Sequence, residues 1–307
     1  MGKIRKRIQT YFPFFFLLLM IGYLLYDSTS IKELENPKNQ VRKKDVEIYY
    51  IDVGQADSTL IQCDNKYVMI DAGNNKDGNK LVKYLNEIGV EKITYLIATH
   101  PHEDHIGGMD NIIKNFEIEN YYKTEDELSI MTYTEIMKAL EEKNIVYHIP
   151  KKGEKFQIGE CNFKIIYIEK DKEDLNDTSM VIRLEYGNTS FLFTADATNQ
   201  VESEILYSKE NIKSDVLKVA HHGSSHSNSI EFLNEVNPRY AIIFVGNNND
   251  YHYPHQSTLN KLEKLNTKIY RTDIDGTIIV KTDGEQISFK KVHTDTNNEE
   301  NENARKN

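Results

Sequence analysis

Cysteine is scarce in this chain. Its 307 residues hold two, Cys63 and Cys161, far apart and each in strand-like surroundings. That count excludes a disulfide framework, and neither cysteine has the spacing of a thiolate metal ligand. The pair reads as two buried thiols, with a single bridge as the alternative. Net positive charge is also missing. Lys and Arg number 38 against 48 Asp and Glu, a formal charge of −10. An acidic surface repels polyanions, so strong affinity for nucleic acid is not expected. No segment repeats at a fixed period, and no nucleophile-elbow motif appears.

The two ends differ from the middle. Lys3, Arg5, Lys6 and Arg7 form a cationic head at residues 1–7, followed by an uncharged, mostly apolar run over 8–26. About 20 apolar residues span a bilayer, and positive charge before such a run leaves the rest of the chain outside. The run is expected to be an uncleaved signal anchor. The alternative is a cleaved signal peptide, with Ser28-x-Ser30 as the site and a secreted product. Residues 27–44 are polar and read as a tether. Residues 294–307 are nearly all Asn, Glu, Thr and Asp and are expected to be disordered.

Between the ends, periodicity predicts mixed α and β around one core. Strands are expected over Val46–Ile51, Ser58–Gln62 and Tyr67–Ile70 as an antiparallel meander, then a helix over Asn79–Ile88. A strand over Ile93–Ala98 precedes helices over Met109–Phe116 and Thr132–Lys143. Ser179–Glu185 and Thr189–Thr194 form a hairpin across Gly187-Asn188. A strand over Val216–Ala220 and helices over Ile230–Val236 and Ser257–Leu265 follow, with Ser257 as an N-cap. The domain is placed at 45–293.

One stretch carries chemistry, Thr99-His100-Pro101-His102-Glu103-Asp104-His105-Ile106-Gly107-Gly108. It directly follows a buried-type strand. Imidazole and carboxylate at this density ligate a borderline metal such as zinc. His100 and His102 project to one side of extended backbone. Asp104 and His105 reach a second ion from the start of a helix. Gly107-Gly108 is expected to let the backbone turn tightly. Asp71, at the end of the third strand, suits a carboxylate that fixes a ligating imidazole.

This motif resembles the H-x-H-x-D-H of the metallo-β-lactamase superfamily. Ile51-Asp52-Val53-Gly54-Gln55-Ala56-Asp57-Ser58-Thr59-Leu60-Ile61 resembles the opening of the metallo-β-lactamase-like domain of the competence protein ComEC and its free-standing relatives. The resemblance covers roughly Val46 to Phe289. It implies a four-layer αββα sandwich, here preceded by one membrane helix. It also implies two divalent ions, zinc or manganese, held by His100, His102, Asp104, His105, Asp196 and His221, with Asp196 bridging. Ions so held lower the pKa of water between them. Asp104 is expected to orient the nucleophile and His255 to stabilise or protonate the leaving oxygen. Asp71, His222 and Ser224 are expected around the ligands or along the substrate cleft, together with His226.

The chain departs from the superfamily twice. Asn176-Asp177-Thr178-Ser179 holds no histidine where many members supply a third ligand to the first metal. Tyr253-Pro254-His255 stands where relatives often carry His-Pro-His. The implied activity is phosphodiester hydrolysis, with single-stranded DNA as a candidate substrate, since ComEC-like domains are associated with degrading a DNA strand during uptake. A phosphorylcholine ester is the alternative substrate. A β-lactamase or a non-catalytic member of the fold are the remaining readings. No protein partner is expected.

Overall fold

The computed structural model describes Met20, Ile21, Tyr23, residues 45–126 and residues 128–293. The cationic head, nearly all of the apolar run, the tether and the acidic tail lie outside the described residues. Among those described, no helix is long and apolar enough to cross a membrane. The sheets and the helices that cover them all belong to the unit Lys44–Asn307.

β1 (Val46–Tyr50), β2 (Thr59–Cys63) and β3 (Lys66–Ile70) form the expected meander. Asp64 and Asn65 both take positive φ at its tight turn, as the twist of a two-residue hairpin requires. The chain then runs through α1 (Gly78–Glu87), β4 (Lys92–Ile97), α2 (Glu103–Ile106), α3 (Met109–Asn115) and β5 (Glu117–Tyr122). It continues through α4 (Met131–Glu142) and β6 (Tyr147–His148). β3 to β6 pair in parallel.

The second sheet starts with antiparallel β7 (Lys155–Ile158), β8 (Cys161–Tyr167), β9 (Val181–Tyr186) and β10 (Thr189–Phe193). α5 (Asn199–Ser208), β11 (Val216–Lys218), α6 (Ile230–Val236), β12 (Tyr240–Ile243), α7 (Gln256–Lys264) and β13 (Lys268–Arg271) extend it in parallel. After α8 (Thr272–Asp275), β14 (Thr277–Thr282) and β15 (Ile287–Val292) return to the first sheet. The orders are β15-β14-β1-β2-β3-β4-β5-β6 and β13-β12-β11-β10-β9-β8-β7.

Strand alternation makes the layers. Ile48 and Tyr50 face inward to Phe163, Phe193 and Phe244 of the other sheet, while Tyr49 faces outward to Leu81, Met109 and Ile136. A third cluster packs Val201, Phe232 and Leu262 of α5, α6 and α7 on the far side of the second sheet. Three apolar layers between two sheets and two sets of helices make the expected αββα sandwich.

Three expectations change. β5 is an addition to the expected elements; Ile118 and Tyr121 pack outward with the helices and Tyr122 inward between the sheets, in a segment otherwise polar. Ser257 does not cap α7, which begins one residue earlier with His255 at the cap. Gly107 and Gly108 have ordinary negative φ, so no special turn demands them. Close approach does: a Cβ on Gly107 would sit 2.1 Å from Asn75 N, and one on Gly108 2.4 Å from Ala72 O.

Candidate metal centre

Parallel pairing aligns the C-terminal ends of β3 and β4, and of β10, β11 and β12. Their following loops therefore meet at one edge of the sandwich. Backbone bonds tie these loops together: Met180 N donates to Thr99 O at 2.9 Å across the two sheets, and Asp57 N to Asp104 O at 3.0 Å between two loops of the first sheet. Asp71, Ala195, His221 and His222 all take positive φ here. Such conformations are costly for residues with a Cβ and cluster where function over-determines them.

Asp71 leaves β3 fully buried. Thr99 N donates to its Oδ1 at 2.9 Å, and the Thr99 hydroxyl to its Oδ2 at 2.7 Å. His105 Nδ1 also donates to Oδ2 at 2.7 Å. That bond fixes the ring and turns Nε2 toward Asp196 Oδ1 at 3.3 Å and Asp104 Oδ2 at 3.9 Å. His222 is held the same way. Its Nδ1 donates to Phe244 O at 3.0 Å, leaving Nε2 at 3.1 Å from Asp104 Oδ2 and 3.8 Å from Asp196 Oδ2. An imidazole anchored through one nitrogen presents the other as a ligand.

Asp104, His105, Asp196 and His222 thus offer four ligand atoms within 4.8 Å of one another. His105 Nε2 and Asp196 Oδ1 are buried without a hydrogen-bond partner. Orphaned donor atoms in a set of two imidazoles and two carboxylates fit a divalent cation. His100 and His102 lie alongside. His100 Nε2 is 3.2 Å from His102 Nδ1, and the His100 ring centroid is 4.1 Å from that of His105.

The convergent set takes His222 where the sequence favoured His221. His221 Nε2 sits 3.8 Å from Asp196 Oδ2 and 3.4 Å from the Tyr253 hydroxyl. Ser224 is buried, and its Oγ accepts from His226 N at 3.2 Å. It braces the loop and does not line a cleft. His255, half-buried, accepts from Ser225 N through Nδ1 at 2.9 Å. The segment without a histidine contributes Ser179, whose Oγ accepts from Asp196 N at 3.2 Å.

Two charged residues of the centre are not singled out by the sequence. Lys218, 2% exposed, lies beneath Asp196. Its ammonium pairs with Asp57 Oδ2, donates to Ala195 O at 2.7 Å and lies 3.7 Å from Asp196 Oδ1. Asp57 also reaches behind both anchored imidazoles, 3.6 Å from His222 Nδ1 and 3.9 Å from His105 Nδ1. The signal for Lys218 was a lysine inside the apolar strand Val216–Ala220. Asp57 had only its place at the end of the Gly54-Gln55-Ala56 turn.

Electrostatics follow from this crowding. Burial works against charge on Asp196, yet His105, His222 and Lys218 hold it well below the usual carboxylate range. Burial also works against protonated His105, and Asp196, Asp71, Asp104 and Asp57 overcome it and raise that imidazole well above its ordinary value. His222 is raised by Asp196 and Asp104 against the same opposing burial. His100 is lowered well below by burial and by neighbouring His105, which keeps it neutral and able to ligate.

A sandwich of this layering with an H-x-H-x-D-H loop at its strand ends defines a metallo-β-lactamase fold, the scaffold of metal-dependent hydrolases. The profile of the Metallo-beta-lactamase superfamily matches residues 51–247, and the chain belongs to that superfamily. It is 32% identical over 251 residues to ComE operon protein 3 of Bacillus subtilis (strain 168), covering 76% of this chain and 32% of that protein. It is 27% identical over 266 residues to competence protein ComA of Neisseria gonorrhoeae, covering 85% and 34%. The chain therefore spans about a third of the length of these curated relatives. Among solved structures, the metallo-β-lactamase fold protein YhfI of Bacillus subtilis superposes with TM-score 0.54 at 13% identity, covering 80% of this chain and 100% of that one. CmlA of Streptomyces venezuelae, a diiron β-hydroxylase, gives 0.53 at 11% identity, covering 81% and 54%.

Proposed function

We propose that this protein is a phosphodiesterase, held by residues 8–26 at the outer face of a membrane and acting on a nucleic-acid strand or a smaller diester. The observation that carries the reaction class is the convergence of Asp104, His105, Asp196 and His222 around orphaned buried atoms, with His100 and His102 beside them. The resemblance to ComEC-type domains and the similarity to competence proteins support the nucleic-acid substrate.

Divalent ions, zinc or manganese, would be held by His100 and His102 on one side and Asp104, His105 and His222 on the other, with Asp196 between. When bound they supply Lewis acidity and lower the pKa of water. The chain's own groups do the rest. Asp71 and Phe244 O keep His105 and His222 in the tautomer with Nε2 free. Lys218 balances the negative charge of Asp57 and Asp196. Asp104, on the open side of the cluster, orients the attacking water. His255 receives a backbone N–H at Nδ1, so in the neutral ring Nε2 carries the proton, the state that donates to a leaving oxygen. His221, with Tyr253 against it, contributes to the rim beside Asp196.

The acidic charge of −10 supports a second substrate, a small diester such as a phosphorylcholine ester, which needs no basic track. The test is hydrolysis by the chain from Lys44 onward, with zinc or manganese, of single-stranded DNA, nucleotide diesters, phosphorylcholine esters and a cephalosporin. Turnover of the diesters alone supports the reading. Cephalosporin turnover alone, or metal binding without any turnover, defeats it. Removal of the domain by protease added to intact wall-stripped cells tests its location.

A further inference from the structure

Three aromatic rings stand in series from the metal centre outward. The His222 and Tyr253 rings lie 6.2 Å apart at 27°, and the Tyr253 and Tyr251 rings 5.4 Å apart at 13°. Tyr253 also leans on His221, with centroids 5.5 Å apart. The outermost ring, Tyr251, is 64% exposed. A tyrosine that is nearly parallel to its neighbour and largely exposed is a stacking surface with one place left.

The loop is built to hold it there. His252, at φ 56°, folds the backbone so that the flanking tyrosines come face to face. Asn249 clamps the inner one. Its Oδ1 accepts from Tyr253 N at 2.9 Å, and its Nδ2 donates to Tyr253 O at 2.8 Å and to Gly246 O at 3.0 Å. Gly246 N in turn donates to Gln55 Oε1 at 3.1 Å, tying the loop to the segment before Asp57. The rings are therefore positioned before any ligand arrives, which lowers the cost of binding.

We propose that Tyr251, backed by Tyr253, is a stacking platform for the nucleobase flanking the scissile phosphodiester. This rests on the phosphodiesterase reading and narrows its substrate class to a nucleotide chain. Base stacking on an aromatic ring is tolerant of sequence and needs no charge. It suits a surface of −10 net charge, where phosphate contacts by Lys and Arg are not the main source of affinity. A quaternary ammonium group favours rings set around it as a cage. Here the outer two rings are nearly parallel and offer a single flat face.

Two measurements on the full-length chain in detergent test the platform. The first is anisotropy of a labelled oligothymidylate against an abasic strand of equal length, with the protein stripped by chelator. The base-containing strand should bind about ten-fold tighter. That preference should vanish in Tyr251→Ala and survive in Tyr251→Phe. The second is the ratio of kcat/KM for a nucleoside p-nitrophenyl phosphodiester to that for the methyl p-nitrophenyl phosphodiester, with manganese. The ratio should fall about ten-fold in Tyr251→Ala, mainly through KM. Equal binding of the two strands by the unaltered protein overturns the platform whatever the turnover. So does competition by phosphorylcholine that is lost in Tyr251→Ala. Base-dependent, Tyr251-dependent binding without hydrolysis of either diester leaves the platform standing and overturns the reaction proposed above.

Discussion

The floor and the mouth of the centre are built from different materials. The floor is Asp57, Asp71, His105, Asp196 and Lys218, each under 7% exposed and each paired with another. The mouth is His221, Tyr253 and His255, all half-buried, with Tyr251 outside them. A floor of mutually compensating charges is rigid, because removing any one leaves the others unpaired in low dielectric. A mouth of half-wet imidazoles and rings carries little of the folding energy and remains free to meet substrate. Damage to the floor should therefore appear as lost metal or lost fold, and damage to the mouth as lost turnover.

The largest effect should come from Asp196→Ala. The variant should bind less of both ions and lose activity. Elemental analysis finding two ions per chain in it would refute a bridging Asp196. Lys218→Met should cost about 3–5 kcal/mol in urea unfolding, since it strands Asp57 and Asp196 without their cation. Replacing Asp57 as well should return part of that loss, and a double variant as weak as the single one would show that the pair is not the unit. His255→Ala should leave metal content near that of the parent while turnover falls by about a hundred-fold. Equal loss of both would move His255 from the mouth to the ligand set.

The smallest effect lies away from both regions. Glu202 of α5 is buried, and its carboxylate accepts from Asn228 N and Ser229 N. Asn228 in turn clasps Ala220 N at 3.1 Å and Ala220 O at 3.0 Å, just before His221. Burial pushes Glu202 up to about 7, against the pull of Ser229, Asn228 and Lys261. A folded pKa above the unfolded one adds stability that is complete below the ordinary carboxylate range. That stability is lost as pH rises through about 7. Glu202→Gln should flatten this dependence in urea midpoints taken between pH 5 and 8. An unchanged slope would show that the carboxylate ionises freely in the fold.

The sequence disclosed the layers and the ligand loop for physical reasons. Strand alternation such as Val46, Ile48, Tyr50 repeats at two, and the His-x-His-x-Asp-His spacing is dense enough to read without neighbours. What stayed hidden depends on distance in space. β5 carries Glu117, Glu119 and Asn120 within its six residues, so its buried side chains show only beside β4. Lys218 stands out only as a lysine within an apolar strand until Asp57, 161 positions earlier in the sequence, is placed against it. The choice between His221 and His222 turns on two consecutive left-handed residues, a backbone feature no periodicity reports. The need for glycine after the ligand loop is legible in the sequence, but its cause, the close approach of Asn75 and Ala72, is not.

β1 also has a mechanical consequence. It lies between β14 and β2, with Val46 opposite Thr282 and Glu47 opposite Gln62. Its hydrogen bonds run across the strand on both sides. A pull applied from the N-terminal side, as from an anchor in a surface, loads both ladders along their length at once, so they must shear together and cannot open one bond at a time. The end of the domain nearest the proposed anchor is thus the one best fitted to bear tension.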